Sequence, residues 1–214
     1  MENKKLLIIL ALIVVIGGGL IYYYLNGFTF SSQENNTPAE ENTPEENNGT
    51  EEPAEEPEEV ELTVFAKDEF EMQIPSGWIQ TEAPQGIHTL VLNNSEEVLD
   101  AESEKAGFKS YMAITQDTLQ GKTMEEFKEY VKGILVDSLP SIEFIEEKDA
   151  VIQGNNAEIL EAKVVQEGYN FRTLLAIIQG EGEGVWTLSF NTAETRWEKS
   201  KDLFYQIAES FKLK

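Results

Sequence analysis

Glu96, Glu97, Asp100, Glu102 and Glu104 crowd into one polar stretch running from Asn94 to Glu104. Hard carboxylate oxygens at that spacing suit calcium, which takes about six to eight oxygen ligands. The stretch lacks the Asp-x-Asp-x-Asp-Gly order and interior glycine of a dedicated calcium loop, so a solvated acidic loop is the competing account. Trp78, beside a Pro-Ser-Gly turn, offers a ring on which a sugar could stack. Trp186 and Trp197 fall on apolar parities, and core packing competes for all three.

Other chemistries are excluded by composition. His88 is the only histidine, which rules out a histidine-rich metal site and leaves a packed or solvated strand residue. With no cysteine, zinc-thiolate, iron-sulfur and thiol-nucleophile chemistry are ruled out as well. Gly-x-Ser-x-Gly and phosphate-loop patterns are missing from the chain. A hydrolytic carboxylate pair stays on the table only because 40 acidic residues place some pair close together. No catalytic or cofactor-binding residue is expected, and calcium is the one ion that the acidic stretch suits.

The elements that would position these groups are strands, a helix, strands and a helix. Phe70, Met72 and Ile74 alternate with Glu71 and Gln73, a half-buried strand ended by Pro75-Ser-Gly77. Leu90 with Leu92, Phe108 to Ile114, Leu160 to Val164 and Trp186 to Phe190 repeat the period of two, with Glu161 and Lys163 on the polar parity. Phe171 to Ile178 is apolar on both parities, as in a central strand covered on both faces. Thr123-Met-Glu-Glu126 is a capping box, and Met124, Phe127, Val131, Ile134 and Leu135 form the stripe of the helix it opens. A second helix is expected from Asn191 or Thr192 to about Phe211. Turns at Gly154-Asn-Asn156 and across Gly180 to Gly184 join neighbouring strands as hairpins. The predicted fold class is α+β, a mainly antiparallel sheet flanked by two main helices.

Three stretches resemble the PsbP-like superfamily: Phe70-Glu-Met-Gln-Ile-Pro-Ser-Gly-Trp78, the hairpin entry from Gly154 to Ala162, and Gly184-Val-Trp-Thr-Leu-Ser-Phe190 with the helix ending Ile207-Ala-Glu-Ser-Phe211. The resemblance covers residues 62–214. It implies an α/β/α sandwich and a binding or assembly role, and it carries over no functional residue because the matching positions are core and turn positions.

Ahead of this domain, Leu6 to Leu25 holds no charge and would span about 30 Å as a helix, enough for a bilayer core. Lys4 and Lys5 precede it, so a cytoplasmic N-terminus over residues 1–5, a signal-anchor helix over 6–25 and an exported C-terminal part are expected. A cleaved signal peptide with Gly17 and Gly19 near its cleavage site is the alternative. Residues 31–60 carry eleven glutamates, no other charged residue and four prolines, the composition of a disordered linker. The domain over residues 61–214 is itself acidic, at −14 of the chain's −24, which argues against nucleic acid as a partner. The expected protein is therefore a single-pass, membrane-anchored, extracytoplasmic module that contacts a protein partner in the envelope without catalysis. A glycan- or calcium-binding receptor is the second reading and a carboxylate hydrolase the third.

Overall fold

The computed structural model describes residues 60–95, 108–166 and 168–214. The expected anchor over Leu6 to Leu25, nearly all of the linker over 31–60, and the acidic run Glu96, Glu97, Asp100, Glu102 and Glu104 lie outside those residues. The membrane-anchored reading is corrected to this extent: no helix among the described residues is long and apolar enough to cross a membrane, and nothing described supports an anchor. The longer of the two described α-helices has 15 residues and exposes glutamates, against about 20 consecutive apolar residues for a span. The membrane partner, the single-pass localisation and the anchored form of the function therefore have no support among the described residues.

Strands β1 (Leu62–Ala66), β2 (Phe70–Pro75), β3 (Trp78–Thr81), β4 (Thr89–Asn93) and β5 (Tyr111–Thr118) lead into helix α1 (Met124–Ser138). Then come β6 (Glu143–Ile152), β7 (Asn155–Gln166), β8 (Tyr169–Gln179), β9 (Gly184–Ala193), a 3-10 turn (Glu194–Arg196), helix α2 (Trp197–Glu209) and β10 (Lys212–Leu213). The α+β class holds, but the single sheet expected from the sequence is two. A seven-stranded sheet runs β3-β4-β5-β9-β8-β7-β6, and a three-stranded sheet runs β1-β2-β10. The pairings are antiparallel throughout these sheets.

Each face of the large sheet has its own core. On one, Phe127, Val131, Ile134 and Leu135 of α1 cover Leu160, Val164, Leu175 and Ile177. On the other, Trp197, Phe204, Ile207 and Ala208 of α2, with Phe70, Met72 and Ile74 of the small sheet, cover Leu174, Ala176, Ile178, Trp186 and Leu188. β8 lies between β7 and β9, and its residues 171–178 are all buried, as two apolar faces require. Full burial of each Phe, Leu or Ile side chain among them contributes about 1.5–3 kcal/mol relative to exposure.

Helix α1 begins as its sequence says: Glu126 N–H donates to the Thr123 hydroxyl at 3.2 Å, and Thr123 N–H donates to Glu126 Oε2 at 2.8 Å. Helix α2 starts later than expected. Asn191 and Thr192 belong to β9, where the Ser110 hydroxyl donates to Thr192 Oγ1 at 2.8 Å and Asn191 Nδ2 donates to Ser189 Oγ at 2.9 Å. Side chains that resemble helix caps are here satisfied within the sheet. The β6–β7 hairpin turns at Gln153 and Gly154, with φ of 48° and 86°, one residue earlier than expected.

Candidate functional site

The β6–β7 end of the large sheet carries charge on both faces. On the α1 face, two lysines one helical turn apart repeat one arrangement. Lys128 Nζ lies 2.6 Å from Glu125 Oε2 and 3.3 Å from Glu158 Oε2 of β7. Lys132 Nζ lies 3.0 Å from Glu129 Oε1 and 2.7 Å from Glu147 Oε1 of β6. Each ammonium thus joins a glutamate three residues back on its own helix to a carboxylate on the sheet. Hydrogen bonds donated to these carboxylates, to Glu125 first for Lys128 and to Glu147 first for Lys132, hold both lysines above their ordinary pKa.

Glu158 does not gain in the same measure. Burial raises its pKa above the usual 4.5 more than the Lys128 ammonium lowers it, and nearby Asp149 pushes the same way as burial. The two partners of one ion pair are served unequally because Lys128 collects two carboxylates while Glu158 shares one ammonium and faces a second acid. The balance leaves the Glu158 pKa raised, with burial as the leading cause.

Glu125, Asp149 and Glu158 present carboxylate oxygens within 4.8 Å of one another, and Asp149 and Glu158 line a cleft of about 550 Å³ together with Met124, Val151 and Asn156. Their spacing is that of a cation site. Lys128 already contacts two of the three, so the positive charge at this place is the protein's own.

The opposite face repeats the theme around Glu161, which is 1% exposed although its sequence parity pointed to solvent. Its Oε2 accepts from Arg172 Nη2 at 3.3 Å, and its Oε1 accepts from Tyr205 Oη at 2.7 Å and pairs with Lys201 Nζ at 3.0 Å. The Arg172 guanidinium stacks 4.6 Å over Trp197, and Lys148 Nζ stands 4.1 Å over Tyr205. Burial first, then the Glu161 carboxylate, pushes the Tyr205 hydroxyl well above its ordinary pKa.

The residues singled out from sequence lie elsewhere. Trp78 is 5% exposed, with its ring edge-on to Phe204 at 6.2 Å, so no open face is presented to a sugar. His88 sits between Phe70 and Trp186, with Nδ1 2.9 Å from Thr89 Oγ1 and Nε2 3.7 Å from Glu69. The charged pairs along α1 were missed in the sequence, although Glu125 with Lys128 and Glu129 with Lys132 are helical neighbours at a spacing of three, a signal that could have found half of the arrangement. Their strand partners required the fold.

The sequence pattern of the PsbP family matches residues 60–213. No curated protein sequence matches the chain. Among solved structures, the chain is similar to cyanobacterial PsbP (CyanoP) of Synechocystis sp. PCC 6803, at 17% identity and a TM-score of 0.53 over 72% of this chain and 94% of that one. It is also similar to LpqN of Mycobacterium tuberculosis, involved in cell envelope biogenesis, at 13% identity and a TM-score of 0.52 over 72% and 91%. A third likeness is the Ran-binding protein Mog1p of Saccharomyces cerevisiae, at 13% identity and a TM-score of 0.53 over 72% and 95%.

Proposed function

The chain belongs to the PsbP family, and from that premise we propose that its folded region is a non-catalytic domain that binds another protein. One observation carries the reading. Lys128, Glu158, Glu161 and Arg172 are the buried charged side chains among the described residues, and each is held in an ion pair within the domain. Groups committed in this way stiffen the β6–β7 end of the sheet; they are not poised to exchange protons with a substrate. The same fold serves a Ran-binding protein in yeast and a protein of cell envelope biogenesis in Mycobacterium tuberculosis, which supports a role in recognition.

Affinity capture with the full-length chain, paired with a panel of hydrolase assays on the same preparation, tests the proposal. The expected result is a stoichiometric protein partner and no turnover. Hydrolysis that disappears in Glu158→Gln or Glu161→Gln would overturn it.

A further inference from the structure

β6 closes one end of the seven-stranded sheet, and among the described residues β7 is its only hydrogen-bonded neighbour. A bulge interrupts its register between Phe144 and Glu146, after which pairing with β7 runs unbroken from Glu146 to Ile152. A regular edge of that length presents a row of backbone N–H and C=O groups that an added strand can meet. The bulge protects the first part of the edge and leaves the second part straight.

Side chains beside this edge select among occupants. Val151 is 70% exposed and forms part of the cleft wall, two residues along the same face from Asp149. On that face Glu125, Glu129, Glu147, Asp149 and Glu158 outnumber Lys128 and Lys132, so the edge is formally negative. A second copy of the chain would bring the same carboxylates opposite one another. Residues 31–59 of this chain supply glutamates as their only charged side chains. Like charges facing across a strand pair are destabilising, which sets both of these occupants aside.

We infer that the free edge of β6 accepts an extended, lysine- or arginine-rich segment of another protein as an added strand, with a basic side chain beside Asp149 and an apolar one beside Val151. The inference rests on the protein-binding reading above and names its surface and the chemistry of its partner. Backbone pairing supplies the attachment, and the carboxylates set the sign of the partner.

The test uses the full-length chain and a fluorescent peptide of about ten residues alternating lysine and valine, matched to the ten-residue strand. A peptide with glutamate in place of lysine is the control. Anisotropy should report binding of the basic peptide alone, weakening as salt is added, with slowed amide exchange across residues 146–152. Val151→Lys, at an exposed site, should weaken binding about tenfold. Val64→Lys, on the other sheet and 72% exposed, should leave it unchanged. Equal binding of both peptides, or indifference to Val151→Lys, would overturn the inference. So would a homodimer that Val151→Lys dissolves. If the basic peptide fails to bind the wild-type chain while a captured protein partner binds it, the edge is refuted and the protein-binding reading survives.

Discussion

Glu158 and Glu161, three residues apart on β7, point to opposite faces of the same sheet, and each meets a lysine carried by a different helix, Lys128 of α1 and Lys201 of α2. An odd spacing in a strand forces that divergence. One short stretch of β7 therefore pins both helices to the sheet, and the ion pairs, with the Tyr205 hydrogen bond, fasten layers whose remaining contact here is mostly apolar.

Removing one fastener should cost more than an exposed ion pair would. Lys128 and Glu158 are 8% and 9% exposed in their side chains. Lys128→Met should lower the unfolding free energy by about 3 kcal/mol by stranding a buried acid. Adding Glu158→Leu should restore most of that loss. Urea unfolding of the single and double variants checks this, and equal stability of the two variants would contradict the account.

Glu158 also predicts a pH dependence. Its folded pKa lies above the ordinary 4.5, so the stabilisation from its protonated form is complete below about 4.5 and disappears as pH climbs through the raised value. Glu158→Gln cannot ionise. As pH rises from below the ordinary 4.5 through the raised value, the wild type should lose stability relative to the variant. Parallel urea midpoints for the two proteins across that range would refute it.

Tyr205 tests the other face. Tyr205→Phe deletes the 2.7 Å hydrogen bond to a carboxylate that is 1% exposed, and should cost about 1–2 kcal/mol. In the wild type the raised hydroxyl favours the neutral form, so its contribution is complete below the ordinary value of 10.0 and is lost above it. Phenolate absorbance should therefore show one tyrosine fewer titrating near pH 10.0 in the folded wild type than in the unfolded chain after the count for buried Tyr111, also raised, is set aside.

The start of α1 offers a local control. Thr123→Ala removes the cap and should destabilise by about 1 kcal/mol, whereas Thr123→Ser should be nearly neutral. Thermal unfolding reads both, and an unchanged midpoint in the alanine variant would mean that tertiary packing alone holds the first turn.

Much of the fold was legible because its signals are local. The alternation of Phe70, Met72 and Ile74, the doubly apolar run from Phe171 to Ile178 and the capping box at Thr123 each appear in the structure as their periods predict. Phe108 shows where periodicity stops being enough. Its parity grouped it with Met112 and Ile114, but β5 begins at Tyr111, and Phe108 packs against Tyr111 and Phe171 on the α1 side. A residue ahead of a strand is not bound by that strand's alternation.

The sequence by itself determined the α+β class, the antiparallel hairpins and the family, since these depend on period, turn chemistry and core residues written in contiguous runs. Only the tertiary structure decided that β1, β2 and β10 leave the main sheet, that Trp78 turns inward, and that Glu161 is buried beneath α2. The physical reason is distance along the chain. Glu161 reads as a surface residue among its neighbours, and becomes an interior one when Tyr205, 44 residues away, closes over it.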